Sequence, residues 1–186
     1  MNKIEAIIDS IQQSKITEND FGMLTSSLTL IDICSSIEFL KTNKDPNERY
    51  KQWIEKYLIF NNENSMNKYL DSTNIWHLRC SLLHESSANP NTQYSYKKYA
   101  NHKVKDIVPT SNLEQCTKGT ILNVESNGEQ TLFFDLKYFV DVVVNSTIQW
   151  MEGKQSIIKE VEPKLFSIAH VIDNDDGKIT IIRKLE

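Results

Sequence analysis

Apolar residues recur at helical spacing through most of the first half of the chain. Ile4, Ile7, Ile8 and Ile11 form one stripe and predict a short amphipathic helix over residues 1–13. Phe21, Leu24, Leu28, Leu30, Ile31, Cys34, Ile37, Phe39 and Leu40 keep that period and predict one long helix over 21–41. Its serines and threonines lower its intrinsic propensity. "TNKDPNE" interrupts the pattern, and Pro46 suits the first turn of a following helix. Tyr50, Trp53, Ile54, Tyr57 and Leu58 then give that helix an aromatic face. Beyond the polar run "NNENSMN", Ser72 or Thr73 can cap a further helix that runs to about residue 87.

The second half changes period. Residues 88–102 read as a loop. "KVKDIVPT" and "TILNVES" are β-branched and strand-like, and Asn127-Gly128 between two apolar runs is a strong hairpin signal. Residues 136–153 return to helix, with Gly153 as the stop. In the tail, "NDDG" between two β-prone runs suggests a terminal hairpin. The pattern predicts a mainly α fold, a single domain over 1–186. Its helical core spans about 1–90 and 136–160. A small antiparallel β embellishment sits in the C-terminal half, as a hairpin insertion over about 103–134. The short separation of the first helices suggests an up-down bundle.

Composition narrows the function classes. The chain has 186 residues, a net charge of −4 and a pI near 5.6, so it does not coat nucleic acid by bulk charge. Cys34, Cys80 and Cys116 are scattered and odd in number, which fits reduced thiols better than a disulfide framework. The polar breaks in "MNKIEAIIDSIQQ" do not fit a signal peptide, and no apolar run is long enough to span a membrane. These features together point to a cytoplasmic protein.

The stretch that carries candidate chemistry is "WHLRCSLLHESS", residues 76–87. On an ideal helix Ile75, Trp76, Leu78, Leu82 and Leu83 cover one broad arc, and Arg79 projects from its middle. His77, Cys80 and His84 fall on the other side, and Arg79 and His84 lie about 140° apart. A guanidinium inside an apolar stripe is costly without a partner. Asp32, Glu38 and Glu55 are the candidate carboxylates. A subunit seam that meets water or a phosphate is the alternative, and so is a structural salt bridge beside a surface histidine.

Arg79-Cys80-Ser81-Leu82-Leu83-His84 resembles the R-x4-6-H motif of the HEPN superfamily, and "RYKQWIEKYL" followed by "LRCSLLHES" looks like a group of bacterial HEPN-like proteins. The resemblance covers roughly residues 17–90, with a further stretch at 136–153. It implies a HEPN-like helical bundle and a homodimer whose motif helices meet at a cleft. It also implies a metal-independent endoribonuclease of a toxin, phage-defence or stress-response type, with RNA and an antitoxin or regulatory protein as partners and no cofactor. His84 would move the 2′-OH proton or protonate the leaving oxygen, and Arg79 would offset charge on the phosphorane. Cys80 departs from the polar residue that follows the arginine in many active members, and the superfamily also holds members that bind nucleotides or partner proteins without cleavage.

"YSYKKYANHKVK" interleaves tyrosines with lysines, a composition suited to stacking on bases and tracking phosphates. It makes Lys97, Lys98, Tyr99, His102 and Lys103 candidate substrate-binding residues; a solvated surface loop is the plain alternative. A metal site at His77, Cys80 and His84 is disfavoured, because i and i+7 lie about 10 Å apart along a helix. Asp173, Asp175 and Asp176 resemble an acidic calcium loop but lack the downstream glutamate, so a turn is expected there.

Overall fold

Asn2 starts the first helix with a reciprocal cap. Its side chain accepts from the Glu5 backbone N–H at 2.9 Å, and the Glu5 carboxylate accepts from the Asn2 N–H at 2.7 Å. The computed structural model describes residues 2–58, 69–85, 104–111, 120–124, 128–161, 169–173 and 179–183. Helices α1 (Lys3–Ile16), α2 (Asp20–Glu38) and α3 (Pro46–Tyr57) follow one another, and α4 is Ser72–Cys80. The chain continues from α4 without a break into a π-helical turn, Ser81–Glu85. Strands β1 (Asp106–Thr110), β2 (Thr120–Val124) and β3 (Gln130–Asp135) precede helices α5 (Leu136–Glu152) and α6 (Gln155–Val161). Strands β4 (Ala169–Asp173) and β5 (Ile179–Arg183) close the order. The fold is mainly helical.

The starts of α2 to α5 likewise have local causes. Asn19, Asp45, Asp71 and Asp135 accept from the backbone three residues on, and Pro46 occupies the first turn of α3. The cap of α4 is thus Asp71 rather than Ser72 or Thr73; Ser72 instead donates to Glu55 of α3 at 2.7 Å. Helix α2 is the centre and packs against α1, α3 and α5. Met23, Leu24, Leu28, Leu30, Ile31, Cys34 and Ile37 are all buried, so apolar burial surrounds much of the helix. The hydroxyls of Thr25, Thr29 and Ser35 are satisfied by carbonyls one turn back, whereas that of the fully buried Ser27 has no hydrogen-bond partner among the described residues.

The sheet corrects one expectation. An antiparallel embellishment was predicted, and β2 does pair antiparallel with β3, but β1 pairs parallel with β3, giving the order β1-β3-β2. Alternation along β1 fixes which face is buried and leaves the direction of pairing open. The parallel register sets Ile107 beside Leu132 and Pro109 beside Phe134, and Ile107, Leu132 and Phe134 are fully buried. Asp135 then ends β3 and caps α5 in one residue, by accepting from the Tyr138 N–H at 3.0 Å. Strands β4 and β5 pair antiparallel, the arrangement expected of the tail.

Candidate functional site

Helix α4 is held from three sides before its arginine is reached. Asp71 caps it, Ser72 ties it to α3, and Asn74 donates to the Tyr69 carbonyl at 2.6 Å. Ile75 and Leu78 are buried, and so is His77. His77 lies on the other side of the helix from that apolar arc, so neighbouring elements cover α4 on more than one side.

Arg79 meets Asp32 of α2, one of the three carboxylates the sequence offers. Its Nη2 donates to Asp32 Oδ2 at 2.7 Å. The guanidinium carbon also lies 5.3 Å from the centre of the Trp76 ring, and Trp76 in turn meets Tyr50 edge-on at 5.2 Å. The Arg79 side chain is 16% exposed and that of Asp32 30%. Burial alone would lower the arginine's pKa, but Asp32 and the Cys80 side chain override it and raise the value. Around this pair Tyr50 is pushed up, first by burial and then by Asp32. Lys51 is pushed down by burial, against the pull of Asp71, Glu55 and Asp45.

The motif's second half lies on different backbone. Positions 81–85 form a π turn, in which hydrogen bonds close at i+5 rather than i+4. The wider turn narrows the angle between positions 79 and 84 by some tens of degrees from the ideal-helix value. The His84 side chain lies outside the described residues, as do Lys97, Lys98, Tyr99, His102 and Lys103. The structure thus joins Arg79 to Asp32, Trp76 and Cys80.

A second polar centre forms around Glu38, which the sequence offers only as a candidate partner for Arg79. The side chain of Glu38, the last residue of α2, is 5% exposed and accepts from four donors. These are Lys56 Nζ at 2.8 Å, Tyr57 Oη at 2.7 Å, Trp150 Nε1 at 3.1 Å and Lys154 Nζ at 2.8 Å. Burial would raise its carboxyl. The four hydrogen bonds override that and hold it at about 2 instead of 4.5. No local pattern marks this residue, because its donors come from α3, α5 and the turn after α5.

Beside the π turn, Leu78 and Leu82 help to line an apolar recess of about 250 Å³ with Phe21, Leu24 and Ile107. Among the described residues no group of three or more His, Cys, Asp or Glu side chains could hold a metal ion. No helix among them is long and apolar enough to cross a membrane. Comparison with protein-family models, with curated proteins and with solved structures finds no match.

Proposed function

We propose that the chain is a HEPN-like helical domain that works as a non-catalytic module, holding a partner protein or a nucleotide. The observation that carries this reading is the state of Arg79. Its charge is already met by Asp32 at 2.7 Å, its face rests on Trp76, and little of it reaches solvent. An arginine that stabilises a phosphorane has to spend its hydrogen bonds on the substrate. Arg79 instead satisfies a carboxylate of the neighbouring helix, the use expected of a structural latch. Cys80 points the same way, because it stands where many active HEPN members carry a polar residue.

One observation favours a second reading, a dimeric, metal-independent endoribonuclease with Arg79 and His84 as the catalytic pair. Position 84 lies in a π turn, and such turns are frequent at functional sites. In that reading, two copies bring their motif helices to one cleft, and a toxin, phage-defence or stress role follows from the family resemblance.

The two separate in one experiment. The chain, Arg79→Ala and His84→Ala are each incubated with an RNA pool in EDTA, and each is melted in parallel. Under the leading reading RNA stays intact with all three, and Arg79→Ala melts lower. RNA cut by the unsubstituted chain and by neither variant, with melting temperatures equal, overturns it in favour of the endoribonuclease.

A further inference from the structure

A groove elsewhere on the bundle shares no residue with the Arg79 cluster. Helices α1 and α5 both pack on α2. Lys15, near the end of α1, meets Asp141, near the start of α5, at 2.5 Å. At the other end, Glu5, Ile8 and Asp9 of α1 line one recess with Ile148, Met151 and Glu152 of α5. The two helices therefore run antiparallel, pinned at one end by the Lys15–Asp141 pair and separated at the other by a recess of about 280 Å³.

The chemistry of that recess is two-part. Its floor is apolar, with Ile8 and Met151 buried and Ile148 left 44% exposed. Its rim is acidic. Glu5, Asp9 and Glu152 are exposed, and among the described residues none of them forms an ion pair. Of the lysines near the groove, Lys15 is held by Asp141 and Lys154 by Glu38, and Lys3, two residues before Glu5, projects about 160° around α1 from it. An exposed isoleucine between unbalanced carboxylates fits neither a neutral apolar ligand nor a phosphate backbone, which the rim would repel. A valley between two antiparallel helices accepts a third helix laid along it, through anchors at i, i+3, i+4 and i+7.

We infer that the α1–α5 groove docks a basic amphipathic helix of a partner protein. The apolar face of that helix covers Ile8, Ile148 and Met151, and its lysines or arginines meet Glu5, Asp9 and Glu152. Charge complementarity selects this occupant over a second copy of the chain, whose matching groove would bring carboxylates against carboxylates. The inference stands whichever reading of the Arg79 cluster holds.

The test uses the full chain and three labelled synthetic peptides, followed by fluorescence anisotropy. One peptide carries leucines at i, i+3, i+4 and i+7 flanked by lysines; the second is its scramble, and the third replaces its lysines with glutamates. The basic amphipathic peptide should bind, more weakly at high salt, and the other two should not. The double variant Asp9→Lys, Glu152→Lys and the single variant Ile148→Asp should each weaken binding at least tenfold with melting temperatures unchanged. If either variant melts early, Asp9→Asn with Glu152→Gln replaces it and should still weaken binding several-fold. No binding by the basic peptide, equal binding of its scramble, or equal binding to the variants overturns the inference. So does a dimer of the chain alone that Ile148→Asp dissolves, because the occupant would then be a second copy.

Discussion

Arg79 and Asp32, 47 positions apart in sequence, close a 2.7 Å ion pair that ties α4 to α2. Both side chains are mostly withdrawn from water, so removing one leaves the other's charge poorly solvated. Arg79→Ala and Asp32→Ala should each destabilise the fold by about 2–3 kcal/mol. The double substitution should cost less than the sum, with a coupling of about 1–2 kcal/mol in a denaturant double-mutant cycle. Arg79→Lys should recover only part of the loss, because lysine lacks the planar fork and the stacking on Trp76. Additive single effects would mean that the pair contributes nothing as a pair.

Glu38 gives a pH dependence with a defined sign. Its folded carboxyl sits at about 2, below the ordinary 4.5, so the folded state holds the proton less tightly than the unfolded chain. The stabilisation is complete above about pH 4.5 and is lost as pH falls toward about 2. The gap corresponds to roughly 3 kcal/mol at neutral pH. Glu38→Gln keeps the shape and removes the charge. Its urea midpoint should lie well below that of the unsubstituted chain at pH 7, and the two should converge between pH 4 and 2.5. A difference that stays constant over that window would show that the charge of Glu38 is not what its four donors stabilise.

The helices were legible because burial imposes a period that the sequence must display. Ile4, Ile8 and Ile11, or Tyr50, Trp53 and Ile54, are buried where their spacing places them. The start of α3 was legible from Pro46, and that of α4 less so, because in "DSTN" all four residue types can cap. The parallel pairing of β1 was not legible, because strand alternation fixes a face and leaves direction open. At the candidate site, Asp32 could be named only as one of three carboxylates, since partner choice depends on how α2 and α4 cross. The π turn was hidden for a different reason: "SLLHE" is an unremarkable helical string, and ideal-helix geometry misplaces position 84 relative to 79. Glu38 was named only as a candidate partner for Arg79, since its own four donors assemble only in the folded chain.

The cysteines should differ sharply in reactivity. Cys34 is fully buried, and burial pushes its thiol far up. Cys80 is half-buried at the end of α4. In a chain with Cys80→Ser and Cys116→Ser, the remaining thiol should resist a disulfide reagent until the protein opens. Its labelling rate should rise with urea in step with loss of circular dichroism. Rapid labelling in the native buffer would contradict the packing of α2 against α5.

Two glycines should respond to substitution for opposite reasons. At Gly22, in the first turn of α2, a Cβ would fall 2.6 Å from Asn19 Nδ2 and 2.9 Å from Ser14 Oγ. The added methyl has to displace the Asn19 side chain that caps α2, and a lost cap costs about 1 kcal/mol. At Gly128, before β3, a Cβ would meet nothing within 4 Å, but φ is +84°, where an L-residue with a Cβ is strained by roughly 1 kcal/mol. Alanine should therefore destabilise at both positions by similar amounts. Asparagine separates them, because it tolerates the left-handed region but is larger than alanine. Gly128→Asn should regain much of the loss in a urea titration, and Gly22→Asn should lose more than Gly22→Ala. The reverse order would place the constraint on the backbone at Gly22 and on packing at Gly128.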